Sequence, residues 1–211
     1  MLIVGHRSPR TKSECQVVAD AGATVFEIDV QIWHGRLVVS HYVPVLGTAI
    51  RRDGWRFVRG WHERREPLLA HVAELVPADG VVLLDLKETE RGRREELLAA
   101  VGATLPSSGR YVACTSIAED LDVLRDKGFR TWRTIGDRRQ LDTVLAGGRI
   151  ADDAATVNHK LLSRAVVDRL HSLTGTVVAW TVNDVSRARW LRDVGVDGVT
   201  TDSVDVMRAV G

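Results

Sequence analysis

Eight short runs rich in β-branched residues recur along the chain, each followed by a stretch with helical spacing. This alternation constrains the fold more than any other feature. The strand-like runs are 2–5, 24–30, 81–86, 111–114, 130–134, 155–158, 176–181 and 198–200. The helix-like stretches are 14–21, 68–76, 93–101, 117–127, 138–145, 164–172, 185–193 and 204–210. Strands alternating with helices specify a parallel α/β sheet. Eight units in 211 residues fit a closed (β/α)8 TIM barrel near its lower size limit. A doubly wound open sheet would want a glycine-rich phosphate loop after its first strand, and Gly5-His6-Arg7-Ser8 is not one.

Local signals agree with this frame. Ser116, Ser163 and Asp184 stand where they would cap the helices that follow. Gly128 and Gly195 stand where two helices stop before short strands. After the second strand the chain departs from the simple alternation. The run VFEIDVQIWHGRLVVSH, residues 25–41, reads as a β-hairpin folding back over His34-Gly35. A loop follows over 47–66, of which RRDGWRFVRGWHERRE carries six arginines and two tryptophans. In a barrel this short Arg/Trp-rich insertion would sit above the mouth, where loops carry function. No linker-like composition divides the chain, so residues 1–211 are expected to form one domain.

The composition excludes several classes. Lys+Arg 29 against Asp+Glu 28 leaves a formal charge of +1, with no global drive toward nucleic acid or membranes. No apolar run is long enough for a membrane span, so no stable membrane insertion is expected. MLIVGHRS reads as a first strand and not as a signal peptide. Cys15 and Cys114 have neither metal spacing nor a disulfide framework, which suits a cytoplasmic location. Oligomeric state is not legible.

Polar residues collect at the carboxyl ends of the strands, the functional face of a parallel barrel. Glu27 and Asp29 stand two apart, so a strand turns both to one face. With His41 a hairpin away, they suggest a hard-metal site with an acid/base group beside it. A lone Glu-x-Asp is more commonly a solvated strand face, so partners elsewhere in the chain decide the matter. Candidates exist. His6 and Arg7 end the first strand, Asp85 and Lys87 the third, and Thr115 and Ser116 the fourth. Asn158, His159 and Lys160 end the sixth strand, and Thr201 and Asp202 the eighth. Trp180 and Asn183, at the end of the seventh, are expected in the substrate pocket. Asp184 and Asp202 read equally as helix-cap or turn residues.

Taken together, these motifs resemble the glycerophosphodiester phosphodiesterase family, within the phosphatidylinositol-phosphodiesterase-like barrel superfamily. GHRS is similar to the family's His-Arg-Gly, and GATVFEIDVQIWHGRLVVSH to its Glu-x-Asp hairpin signature. Leu84-Asp85-Leu86-Lys87 resembles its Glu-x-Lys strand. The closest stretch is VNHKLLSRAVVDRLHSLTGTVVAWTVND with VGVDGVTTD. The resemblance implies metal-dependent hydrolysis of glycerophosphodiesters to glycerol phosphate and an alcohol. It implies one divalent metal, Mg2+ or Ca2+, on Glu27, Asp29 and Asp85. It implies His6 and His41 as the catalytic pair, with Arg7 and Lys87 near the phosphate of a small-molecule substrate.

The chain departs from the family pattern at Ser8, at Glu14-Cys15-Gln16, at Tyr42, and at Asp85, where the family has Glu. Asp followed by x-Lys is similar to phospholipase D-type toxins of the same superfamily. That leaves a lipid phosphodiesterase or lyase forming a cyclic phosphate as an alternative. A prenyl or other diphosphate substrate is another, with Trp55, Trp61 and Trp180 as an apolar wall.

Overall fold

A computed structural model of the chain describes residues 1–7, 11–41, 43–44, 50–53, 56–59, 67–87, 92–107, 109–148 and 150–211. Strands β1 (Leu2–Gly5), β2 (Val25–Trp33), β7 (Val81–Leu86), β8 (Tyr111–Thr115), β9 (Arg130–Ile135), β10 (Ala154–Asn158), β11 (Val177–Trp180) and β12 (Gly198–Thr201) pair in parallel, each with the next. Pairing of β1 with both β12 and β2 closes the ring. The fold is therefore the expected (β/α)8 barrel. Helices α1 (Lys12–Asp20), α2 (Leu69–Ala73), α3 (Arg93–Thr104), α4 (Ala118–Asp126), α5 (Arg138–Gly147), α6 (Arg164–His171), α7 (Val185–Asp193) and α8 (Val204–Val210) follow the ring strands in turn.

Period-two alternation sorts each ring strand between two cores. One set of residues packs together as Val4, Val25, Leu83, Val112, Trp132, Ala154 and Val178. The alternate set, with Ile3, Phe26, Ile28, Leu84 and Ala155, joins the helices through Leu97, Leu124, Leu141, Leu170 and Leu191. Burial of these alternating apolar residues registers the strands.

β2 is longer than its ring neighbours. It extends past the end of β1, and β3 (Arg36–Val39) pairs with its last four residues antiparallel. His34 and Gly35 close the hairpin with φ of 48° and 72°. Positive φ at both central positions is the type I′ pattern, whose twist matches that of the strands. Beyond it the expected 47–66 loop contains strand structure. A small antiparallel sheet forms from β4 (Val43–Pro44), β5 (Ile50–Asp53) and β6 (Arg56–Arg59). Alternation is masked there by arginines, which pair as readily in a strand as they solvate a loop. The indoles of Trp55 and Trp61, and Ser8 and Tyr42, lie outside the described residues.

Two of the three expected caps hold. Ser163 accepts from the amide of Val166, and Asp184 from that of Arg187. Ser116 does not cap α4; Ile117 stands at that position, and its amide reaches the Thr115 hydroxyl at 3.4 Å. Gly128 and Gly195 end α4 and α7 at φ of 85° and 95°, a region open to glycine without steric cost. Among the described residues, no helix is long and apolar enough to cross a membrane.

Candidate functional site

Toward the carboxyl ends of the ring strands, the inward residues change from apolar to polar. Val25 gives way to Glu27 and Asp29, Leu83 to Asp85, Trp132 to Thr134, and Ala154 to Thr156. The same two-residue period that builds the apolar layer thus stacks a polar layer above it. A cavity of about 620 Å³ opens there. Its lining includes the charged or titratable His6, Arg7, Glu27, His41, Asp85 and Lys87 and the uncharged Thr115, Thr134, Gln140, Thr156 and Trp180.

The three carboxylates form the densest part of this layer. Glu27, Asp29 and Asp85 each offer an oxygen, all within 4.8 Å of one another. Asp29 and Asp85 are direct neighbours in the β2–β7 register. Glu27 and Asp29 are each only 5% exposed. Burial, then the charges of Asp29 and Asp85, hold the Glu27 carboxyl well above its ordinary value. Burial acts the same way on Asp29, yet the hydrogen bond to His41 and the charge of Lys87 hold it below the usual carboxylate range. Lys87 Nζ lies 2.7 Å from Asp29 and 2.5 Å from Asp85. Although burial opposes its charge, Asp85, Asp29 and Glu27 keep that ammonium above its ordinary value.

Each histidine presents Nδ1 to a carboxylate. His6 Nδ1 is 2.8 Å from Asp202 Oδ1, and His41 Nδ1 is 3.2 Å from Asp29 Oδ2. Burial pushes the His6 imidazole below its ordinary value, and Asp202 pulls it partly back. Arg7 lies between the parts. Its backbone amide donates to Glu27 Oε2 at 2.7 Å, and Nη2 lies 2.8 Å from His41 Nε2. This pose needs φ of 48° at Arg7, left-handed backbone that a non-glycine residue adopts at a cost of roughly 1 kcal/mol.

The structure thus brings together His6, Arg7, Glu27, His41, Asp85, Lys87 and Trp180 at one cavity, with Asp29 bonded into the cluster behind them. Asn183 is placed differently from expectation. It is not among the cavity-lining residues; its amide binds Asp202 instead. Asp184 is the cap residue and Asp202 the histidine partner, a division that sequence left open. Gln140 and Thr134 line the cavity unannounced. Their only sequence signal was a polar residue at the inward period of β9 and one turn into α5.

An all-oxygen set of three carboxylates suits a hard divalent cation. The fit has a physical basis in this chain: Glu27 is buried beside two acids, and Lys87 is bonded to both of them but not to Glu27. A cation among the three would give Glu27 the close cationic partner that Lys87 gives to the two aspartates.

Residues 121–206 match the model of the Glycerophosphoryl diester phosphodiesterase family. That span includes Trp180, Asn183 and Asp202 and none of the three clustered carboxylates. No curated protein matches the chain. Among solved structures, a putative glycerophosphoryl diester phosphodiesterase from Silicibacter pomeroyi superposes with TM-score 0.76 at 19% identity, covering 100% of this chain and 92% of that one. A glycerophosphodiester phosphodiesterase from Thermotoga maritima gives 0.68 at 22% identity, covering 98% and 96%. An Oleispira antarctica phosphodiesterase in complex with the product sn-glycerol-3-phosphate gives 0.72 at 17% identity, covering 100% and 96%. At these identities the likeness is one of fold.

Proposed function

We propose that this chain, whose residues 121–206 match the glycerophosphoryl diester phosphodiesterase family model, is a member of that family and hydrolyses glycerophosphodiesters to glycerol phosphate and an alcohol. The observation that carries this reading is the meeting of three carboxylates, two histidines and two cationic side chains at one barrel mouth. Phosphodiester cleavage needs charge stabilisation on the phosphoryl oxygens, a base for the attacking hydroxyl and an acid for the leaving oxygen. Each has a candidate group here.

Glu27, Asp29 and Asp85 would hold one divalent ion, Mg2+ or Ca2+. When bound, such an ion polarises phosphoryl oxygens and lowers the pKa of an adjacent hydroxyl. His6 is the base. Its Nδ1 faces an ionised carboxylate, which only accepts, so Nδ1 carries the proton and Nε2 keeps a lone pair. Burial favours the neutral form of that imidazole, against the opposing pull of Asp202. It takes the proton of the glycerol hydroxyl beside the phosphate as that oxygen attacks phosphorus. His41, across the cluster, acts in its imidazolium form: once the substrate phosphate draws Arg7 Nη2 away from His41 Nε2, that nitrogen gives its proton to the departing alcohol oxygen and the imidazole is left neutral. Arg7 and Lys87 offset charge on the remaining phosphoryl oxygens. Water then opens the cyclic phosphate with the histidine roles reversed. A reducing, cytoplasmic setting agrees with the two free buried thiols, Cys15 and Cys114.

The test is turnover of a glycerophosphodiester panel by purified protein with Mg2+, with Ca2+ and with EDTA. Glycerol phosphate released only with metal is the expected product. A cyclic phosphate that accumulates as the end product would replace hydrolysis by lyase chemistry, and no turnover of any member would sink the reading.

A further inference from the structure

Asn183 is not among the residues lining the cavity or the carboxylate cluster, yet its side chain makes three hydrogen bonds to Thr201 and Asp202. Its Oδ1 accepts from the backbone amide of Asp202 at 3.0 Å and from the Thr201 hydroxyl at 2.9 Å. Its Nδ2 donates to Asp202 Oδ2 at 3.0 Å. The same residue is therefore held at its main chain and at its carboxylate. The amide's orientation is forced and not a matter of choice. A backbone N–H can only donate, so the atom facing it is the oxygen, and the nitrogen must face Asp202. The Thr201 hydroxyl accepts from the amide of Ser203, which leaves its own proton for Asn183.

What this grip controls is the other oxygen of Asp202. Oδ1 lies 2.8 Å from His6 Nδ1. Asp202 is an open rim residue, with its side chain 50% exposed, whereas that of His6 is 18% exposed. An exposed ion pair or charge-assisted contact of this kind holds its geometry weakly, because water competes for the carboxylate and both side chains lose rotamer freedom. A free Asp202 would turn its oxygens to solvent and leave the His6 tautomer to equilibrate. The backbone amide of His6 also bonds Thr201 O at 3.0 Å, so β1 and β12 fix the main chain of both residues and only side-chain rotation remains to be controlled.

We propose that Asn183 is a positioning residue: it clamps Asp202 so that His6 is held as the Nδ1–H tautomer, with the Nε2 lone pair presented to the cavity. The assignment rests on the reading of His6 as the base, but its first consequence, the tautomer, is independent of turnover. Asn183 acts entirely through Asp202. Its removal leaves the carboxylate cluster, Arg7 and Lys87 in place, so substrate binding is retained while the base is presented in the wrong form for part of the time.

The experiment uses the full chain with 15N-labelled histidine and long-range proton–nitrogen correlation spectra, His6 being assigned by the loss of its signals in His6→Gln. Wild type is expected to show one tautomer at His6, protonated at Nδ1. Asn183→Ala is expected to show a tautomer mixture at His6, with the His41 signals unmoved. Asn183→Gln, which keeps the amide and displaces it by a methylene, serves as the second variant and is expected to give the same mixture. In turnover, Asn183→Ala should lower kcat roughly tenfold to a hundredfold with KM little changed, since misplacement of an acid/base group costs rates of this order. In an Asp202→Ala background the same substitution should add nothing, because the clamp then has nothing to hold. A single Nδ1–H tautomer surviving in both Asn183 variants overturns the proposal, as does a kcat loss that persists undiminished in the Asp202→Ala background. If wild type turns over no phosphodiester, the hydrolase reading fails while the tautomer comparison still decides the clamp.

Discussion

Asp29 and Asp85 stand abreast on adjacent strands, and Lys87 Nζ joins them at 2.7 and 2.5 Å. Two neighbouring carboxylates repel, and here the ammonium of Lys87, just past the end of β7, offsets that repulsion. Removing one partner of such a pair leaves buried charge uncompensated, at about 3 kcal/mol. Lys87→Met is therefore expected to lower unfolding free energy by that order in metal-free urea titrations. Its turnover should fall by about a hundredfold, as expected for loss of a charge that stabilises the reacting phosphoryl group. Unchanged stability would mean that Lys87 contributes nothing net to holding the acids.

Glu27 is the member of the cluster that Lys87 does not reach. Burial, Asp29 and Asp85 raise its folded pKa above the unfolded value. Its contribution to stability is then fully present below the unfolded value of ~4.3 and is lost as pH rises through the folded pKa. Glu27→Gln keeps the shape and still offers an oxygen to the Arg7 amide. The metal-free variant should melt higher than wild type at neutral pH and lose the rise in Tm that Mg2+ or Ca2+ produces. A metal-induced Tm shift retained in Glu27→Gln would remove this residue from the ligand set.

Asp202 raises the pKa of His6, and burial lowers it by more. A base must be deprotonated to act, so kcat/KM should climb as pH rises through a His6 pKa below the ordinary ~6.5. Asp202→Asn removes the raising influence, and the acid limb of the profile should move to lower pH. The plateau should fall by about a hundredfold or more, because the amide no longer enforces one tautomer. The same lowered pKa makes the unfolded chain bind more protons than the folded one below ~6.5, so this group's contribution to stability falls as pH falls. An acid limb that stays put in Asp202→Asn would assign it to another group.

Gly198 begins β12 packed closely against β1 and β11. A Cβ there would lie 2.9 Å from Leu2 Cβ, 3.0 Å from Leu2 O and 3.3 Å from Val178 Cγ2. Backbone cannot yield as a flexible side chain does. Gly198→Ala should cost about 1–3 kcal/mol by overpacking, measured by urea unfolding. Its metal affinity should be unaffected, since the contact lies at the opposite end of the strands from the carboxylates.

Much of this was legible in local pattern because pattern and structure share a period. Residues 81–86 alternate between the two cores with no residue out of phase, and the structure keeps those bounds. Glu27 and Asp29 were readable as a same-face pair for the same reason. The insertion was less readable. In 50–53 and 56–59 the arginines hide any apolar alternation, so local pattern predicts loop where a small sheet forms. Residue type alone predicts a cap at Ser116; the cap position falls one residue later, at Ile117, a matter of backbone dihedral and not of composition.

The sequence by itself determined the strand and helix alternation, the inward set of apolar and then polar residues, and the identity of the acids, cations and histidines at the strand ends. These follow from hydrophobic period and covalent order, which are local. Which carboxylate serves which group was decided only by the tertiary structure. Asp184 and Asp202 look alike in sequence, yet one caps α7 and the other meets His6, 196 positions away, because ring closure sets β12 beside β1. Asn183 was expected in the pocket and instead holds Asp202, for a contact between ends of different strands depends on barrel closure and register, which no local period encodes.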